Sequence, residues 1–405
     1  MTTDSSGAPA LRVLAIPGDG IGQEVVPAAL EVLRATGLPL EIAKADAGWA
    51  CFQRTGAALP EATLAAARQA DAVLFGAVGS PSFPVPGYRS PIVALRRALD
   101  LYANIRPTAN GQPPTTRAAD AVGTALAPGQ SPCVDLVVVR ENTEGMYAGR
   151  ERLEDGGDTA IAERVITRRA SERIVRAAFE LARARTTTSG QGAKDAHSAA
   201  LSSLVIRPSS PKVTIVHKAN VLRETCGLFR GVALGVAEEY PDVAHEEMLV
   251  DNCALQLVQR PERFDVIVTT NLFGDILSDV ASHWGGGLGL AVSANLGETR
   301  ALFEPVHGSA PDIAGRGVAN PLAAIGCAGL LLEWLAGRGG AQAAACRSWA
   351  GRIAAAVAHV REAGPHTPDM GGAANTADIT RAVIAALADP GVEDPAPAPM
   401  AEAGG

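Results

Sequence analysis

Residues 11–33, LRVLAIPGDGIGQEVVPAALEVL, decide the fold class. Residues 11–16 read as a short apolar strand and Gly18-Asp19-Gly20-Ile21-Gly22 as a tight turn, after which Val26, Leu30 and Leu33 share one helical face. A second strand at 72–75 runs into another small-residue loop, GAVGSP at 76–81. Strand, loop and helix keep alternating, which argues an α/β architecture with much parallel sheet. Residues 90–104 pattern as an amphipathic helix with Ile92, Leu95, Leu99 and Tyr102 on one face. Pro107 forces Arg106 into an extended conformation. Segments 108–133 and 186–211, rich in Thr, Ser, Gly and Pro, read as surface insertions. The Pro/Ala/Gly-rich tail from Asp389 is expected to be disordered.

The chain has 405 residues, 47% hydrophobic and 19% charged, enough for a large core and two or three domains. No apolar run approaches the roughly 20 residues of a membrane span. The longest, from Pro321 to Leu332, stops at Glu333. MTTDSSGAPA at the start carries no basic residue, so neither a signal nor a transit peptide is expected. A net charge of -8 argues against nucleic acid as the main partner. Six scattered cysteines without a CxxC spacing read as thiols in a reducing compartment, the cytoplasm. Only four of the 35 basic residues are lysines (44, 194, 212, 218). Lysine is the cation able to give up its proton near neutrality, so each is informative.

Polar residues fall where chemistry is expected. Residues 102–105 lead to Arg106, 134–139 to Arg140, Glu141 and Asn142, 213–217 to Lys218 and Asn220, and 264–270 to Asn271 and Asp275. Ligands of open α/β sheets bind beyond the carboxyl ends of strands, so these four polar ends are expected to converge. Any strand must end in something polar, but four such ends favour a site.

Asp275 and Asp279 project from one helical face, where like charges repel unless a cation lies between them. Asp near a helix N-terminus also serves as a cap or dipole partner, so both readings stay open. Asp251 is a third oxygen donor, and carboxylates without His or Cys partners suit Mg²⁺ or Mn²⁺. Arg96, Arg106 and Arg140 form a candidate clamp for a di- or tricarboxylate, whereas Arg97 reads as a solvated surface charge. The Gly18-x-Gly20-x-Gly22 turn lacks the dinucleotide fingerprint and implies only a tight turn or a close backbone approach. In His307-Gly308-Ser309-Ala310-Pro311-Asp312-Ile313-Ala314-Gly315, small residues leave room for an adenosine. Asp312 suits a ribose diol and repels a 2′-phosphate, favouring NAD.

Together IPGDGIGQEV, LRRALDLYANIRP, VVVRENTEGMY, VHKANV, FDVIVTTNLFGDILSD and EPVHGSAPDIAGRGVANP resemble the β-decarboxylating dehydrogenases of the isocitrate/isopropylmalate dehydrogenase family, over about residues 11–388. The resemblance implies a two-domain fold that is not a Rossmann domain. A large mixed-sheet cofactor domain (1–107 and 286–388) flanks a smaller substrate, metal and dimerisation domain (108–285). It implies a homodimer with shared active sites, or a higher oligomer. Arg96, Arg106 and Arg140 would grip the malate carboxylates beside Asn220, and Tyr147 would protonate the product enol. Lys218 would act from the partner subunit. Asp275 and Asp279 would bind the metal with Asp251 of the partner subunit. Glu304, His307, Gly308, Ser309, Ala310, Asp312, Ile313 and Asn320 would line the adenosine side of NAD.

The loop and helix start at 80–93, including Ser80 and Ser90, would read the substrate's third substituent. GYRSPIVALRRALDLYANIRP looks most like homoisocitrate dehydrogenases, notably the fungal form. Val93 departs from the Arg of some bacterial homoisocitrate enzymes and tolerates an apolar group, which keeps isopropylmalate open, with isocitrate and tartrate or malate as further alternatives. A non-catalytic regulatory subunit is disfavoured, because none of Lys218, Tyr147 or the aspartates is missing.

Overall fold

The computed structural model describes residues 10–83, 85–111, 132–185 and 211–389. Most of both insertions and almost all of the tail lie outside the described residues. In chain order the elements are β1 (Leu11–Gly18), α1 (Gly22–Ala35), β2 (Leu40–Lys44), α2 (Trp49–Thr55), α3 (Glu61–Gln69), β3 (Ala72–Ala77), α4 (Pro91–Ala98) and β4 (Ala103–Ala109). Next come β5 (Asp135–Glu141), β6 (Gly145–Glu154), β7 (Thr159–Val165), α5 (Arg168–Ala184), β8 (Lys212–His217), α6 (Arg223–Ala237), β9 (Ala244–Leu249) and α7 (Val250–Gln259). The chain closes with β10 (Val266–Thr269), α8 (Asn271–Ser282), β11 (Val292–Leu296), β12 (Ala301–Pro305), α9 (Leu322–Gly337), α10 (Ala343–Ala363) and α11 (Thr376–Ala388).

Ten strands form one mixed sheet in the order β2-β1-β3-β12-β11-β4-β5-β10-β8-β9, and β6 and β7 form a separate antiparallel ribbon. Pairing is parallel along β2-β1-β3-β12 and along β5-β10-β8-β9. The two parallel blocks are joined by antiparallel pairings through β11 and β4. The α/β expectation is thus met by a large mixed sheet.

Helices cover both faces. The longest apolar run becomes α9, buried from Leu322 to Ala336 on nearly every side, as expected of a helix without a polar face. Each fully buried Leu there contributes roughly 1.5–3 kcal/mol of transfer free energy. No helix among the described residues is long and apolar enough to cross a membrane.

Two expectations need correction. The helix expected over 90–104 stops at Ala98, because Asp100 turns the chain with φ +48 and residues 103–109 are captured as β4 between β11 and β5. Cross-strand pairing here overrides helical periodicity. Arg106 consequently does not end a strand but lies inside β4, antiparallel to β5. It approaches the other polar ends sideways across the sheet.

Candidate active site

Arg140 lies near the end of β5, opposite Asn104 of β4. Its Nε and Nη2 donate to Asn271 Oδ1 at 2.9 and 2.7 Å, and its Nη1 pairs with Asp275. This contact requires Gly274. A Cβ there would lie 2.6 Å from the Arg140 Cβ, so only glycine lets α8 settle on the arginine. Arg106 shares a strand face with Asn104, two residues away. Its Nη1 donates to Ser278 Oγ at 2.7 Å and lies 3.2 Å from Asp275 and 3.4 Å from Asp279. A guanidinium thus sits between the two carboxylates, which answers their repulsion in this chain. Tyr147, on β6, donates its hydroxyl to Asp275 Oδ2, and the Arg140 guanidinium lies 5.1 Å from its ring centroid.

Two buried arginines, Arg106 and Arg140, against two aspartates give strong mutual perturbation. Burial pushes the Arg140 guanidinium down to about 10, and the neighbouring Arg106 cation adds to the effect. Burial likewise lowers Arg106. Burial alone raises Asp275, but Arg140 and Arg106 outweigh it and hold the carboxyl below its ordinary value. Asp279 moves the other way, raised by burial and only partly offset by Arg106. Burial, then the bond to Asp275, raises Tyr147, so its hydroxyl keeps its proton well past neutrality.

Lys218 follows the end of β8 and pairs with Asp251, in the first turn of α7. Neither makes a hydrogen bond or ion pair with the arginine cluster. Among the described residues no three His, Cys, Asp or Glu side chains of this one chain cluster as metal ligands. Asp275 and Asp279 nevertheless supply hard oxygen donors on successive turns of one helix, a donor type that fits Mg²⁺ or Mn²⁺, with the Arg106 guanidinium between them in this chain.

Arg96 is buried on α4 and pairs with Glu304 of β12 at 2.7 Å. Glu304 also accepts from Asn295, so its hydrogen bonds join it to the arginine group, three residues upstream of His307. Exposed Arg97 donates to the Tyr147 carbonyl. Ser80 and Asn220 are exposed and Ser90 is the N-cap of α4. None of these three side chains bonds the arginine cluster.

The glycine turn has a clear purpose. Ile21 N donates to Ser309 O at 2.9 Å, and a Cβ on Gly20, at φ +55, would lie 2.0 Å from that oxygen. The turn therefore docks on the segment 307–315. Gly315 N donates to Glu24 Oε1 at 2.6 Å, pinning the other end. Between them Ala310 adopts φ +40, a strained conformation for a residue with a Cβ. His307 Nδ1 faces Gly308 O at 3.0 Å, while its buried Nε2 has no partner, an acceptor left for a ligand donor. Gly308 and Asp312 are exposed, Ile313 packs partly against the core, and Asn320 bonds Asp369 and the Leu322 amide. This cradle of small residues with an orphaned acceptor fits a nucleotide.

Several contributors have no signature in the sequence. Asp19 accepts from Trp49 N, Ala50 N and Gly79 N at 2.6–2.9 Å and ties three loops together. Asn104 and Asn295 lie in the buried strands β4 and β11, and Ser278 stands next to Asp279 with nothing to single it out.

Residues 12–196 and 193–383 match the family model described as isocitrate/isopropylmalate dehydrogenase. The chain belongs to the isocitrate/isopropylmalate dehydrogenase family. It is a dehydrogenase of the oxidative, β-decarboxylating kind. The isocitrate/homoisocitrate dehydrogenase of Thermus thermophilus is 50% identical, covering 93% of this chain and 99% of that one. The 3-isopropylmalate/3-methylmalate dehydrogenase of Methanocaldococcus jannaschii is 46% identical over 92% and 97% of the two chains. The crystal structure of isocitrate dehydrogenase from Methylococcus capsulatus superposes with a TM-score of 0.77 at 38% identity, covering 94% of this chain and 100% of that one. Members of this family that resemble the chain thus carry names for different substrates.

Proposed function

We propose that the enzyme oxidises and decarboxylates a 3-substituted (2R,3S)-malate, homoisocitrate to 2-oxoadipate, with NAD and Mg²⁺ or Mn²⁺. One observation carries the reading. Buried Arg106 and Arg140, from β4 and β5, meet Asp275, Asp279 and Tyr147, and buried Arg96 of α4 joins them through Glu304, Asn295 and Asn104. Three guanidinium groups have enough donors to hold a di- or tricarboxylate bidentately. Asp275 and Asp279 would hold the divalent ion, which when bound supplies Lewis-acid polarisation of the substrate's 2-hydroxyl. Lys218 would take the hydroxyl proton as general base, and NAD, which Glu304 and the segment 307–320 would hold, would supply the hydride acceptor for C2. Loss of CO₂ from the β-position leaves an enolate, and the Tyr147 hydroxyl returns a proton to C3.

Lys218 and Asp251 stand together and away from this cluster, so they would reach a site jointly, from the partner subunit. Exposed apolar side chains flank the residues concerned: Val221 follows Lys218, Leu255 and Val258 lie on α7 after Asp251, and Ile276 lies between Asp275 and Asp279 on α8. Such a surface suits burial in a homodimer, with each active site built from two chains. The large and small domains would be 1–107 with 286–388 and 108–285. The cytoplasm suits the cysteines, since no disulfide forms among the described residues.

Isopropylmalate is the second reading, favoured by Val93 one turn before Arg96. Comparing kcat/KM for homoisocitrate, isopropylmalate, isocitrate, tartrate and malate decides between them, because specificity is a difference in transition-state binding. NADH formation from none of these acids, with NAD and Mn²⁺ present, overturns the proposal.

A further inference from the structure

The sheet register lines up polar residues within an apolar layer. Asn104 of β4 stands opposite Asn295 of β11 on one side and Arg140 of β5 on the other, and Asn295 opposes Leu302 of β12. Asn104 and Asn295 have no exposed surface. Burying an amide costs free energy that an apolar residue avoids, so its partners matter.

Asn295 uses its full capacity. Its Oδ1 accepts from Asn104 Nδ2 at 2.9 Å and from Asn142 Nδ2 at 2.7 Å. Its Nδ2 donates to Glu304 Oε1 at 2.8 Å and to Leu302 O at 3.2 Å. Four bonds leave the amide one orientation. Two arms run from it. Asn104 Oδ1 accepts from Arg106 Nε at 2.8 Å, and Glu304 Oε1 accepts from Arg96 Nη2 at 2.7 Å. Asn104 Nδ2 also donates to Ser293 Oγ at 2.7 Å and Asn142 Nδ2 to Leu101 O at 3.3 Å, while Asn142 Oδ1 has no partner, so the arms to the two arginines join only at Asn295.

We infer that Asn295 is a positioning residue for the reaction: its one amide fixes Arg106 through Asn104 and Arg96 through Glu304, setting the spacing of two guanidinium groups that come from different elements. The inference rests on the reading above that these arginines hold the substrate carboxylates. Asn295 touches neither arginine. It sets the groups that orient them, as a supporting shell does for a preorganised site. A ligand held by both arginines feels an error in their spacing directly, whereas NAD, seated chiefly on 307–320, meets the network only at Glu304.

The test uses the full chain and begins with wild-type turnover of a 3-substituted malate; its absence defeats the functional reading, and this inference with it. Given turnover, Asn295→Leu is expected to raise the KM for the acid about tenfold or more and the KM for NAD, which meets the network only at Glu304, by clearly less. Thr380→Val, which removes a distant buried hydroxyl bonded to Thr376 O at 2.7 Å, controls for lost stability. It is expected to lower the melting temperature without moving the acid KM. The losses of Asn295→Leu and Glu304→Gln should combine to less than their sum, since both cut the arm to Arg96. If Asn295→Leu fails to fold, Asn295→Asp serves, keeping the acceptor for Asn104 and losing the donor to Glu304. An unchanged acid KM, equal rises for acid and NAD, or additive losses overturn the inference.

Discussion

Arg96 and Glu304, 208 residues apart in sequence, meet in a buried ion pair of 2.7 Å. The pair ties α4 to β12, the strand that leads into the segment 307–315. Removing one partner leaves an uncompensated buried charge. Glu304→Ala is therefore expected to cost about 3–5 kcal/mol, and the apolar double variant Arg96→Met with Glu304→Leu considerably less. Urea unfolding of the three proteins measures this. A Glu304→Ala loss no larger than that of the double variant contradicts the penalty expected for leaving Arg96 buried and unpaired.

Tyr147 keeps its proton because burial and Asp275 both oppose ionisation. Tyr147→Phe removes the proton donor and leaves the ring over which Arg140 lies. A fall in kcat of about 10²–10⁴ is expected for loss of a general acid, with the substrate KM little changed. Steady-state kinetics decide. Unaltered kcat removes Tyr147 from proton transfer.

The proposed sharing of each active site between two chains makes a prediction that no single-chain site can meet. Lys218→Met and Asp275→Asn should each be inactive as homodimers. Mixed after co-refolding, one site per heterodimer combines an intact Lys218 from one chain with an intact Asp275 from the other, so activity should return. Chelation should abolish that recovered activity, and Mn²⁺ should restore it. Silence of the mixture argues that Lys218 serves its own chain.

Much of this site is legible in the chain because its groups follow apolar runs. Arg140, Lys218 and Asn271 each close or follow a buried strand, and FGDILSD spaces its carboxylates by one helical turn. Arg106 was harder. Proline inside a strand argues against continuing it, yet by Pro107 the strand β4 pairs only with β5, where proline is tolerated. Asn104 and Asn295 carry no local mark. Their partnership depends on a register between strands 191 residues apart, which composition and periodicity do not encode. Asp19 is hidden likewise, as its partners Trp49 and Gly79 become neighbours only once three loops close.

His307 gives the stability a readable pH dependence. Burial lowers its pKa, so the folded chain binds fewer protons than the unfolded chain across the ordinary imidazole range. Its stabilising contribution is therefore complete above the unfolded-state pKa, about 6.5, and is lost as pH falls below it. His307→Asn should show a shallower drop in melting temperature between about pH 7 and pH 5 than the parent. Parallel curves contradict a depressed His307.

Asp312 offers the sharpest handle on the cofactor. It is exposed on a segment held at both ends, by Ser309 against Ile21 and by Gly315 against Glu24. A substitution there changes charge without releasing the loop. In the proposed NAD site its carboxylate would accept hydrogen bonds from a ribose diol and repel a 2′-phosphate. Asp312→Lys with Ile313→Tyr reverses the charge and adds a hydroxyl. The ratio of kcat/KM for NADP to that for NAD is expected to rise about tenfold or more, chiefly through KM. Because Lys218, Tyr147 and the arginines are untouched, kcat with saturating cofactor should hold. A ratio that does not move removes Asp312 from cofactor selection and leaves the small residues of 307–315 to be explained by packing against the Gly20 turn alone.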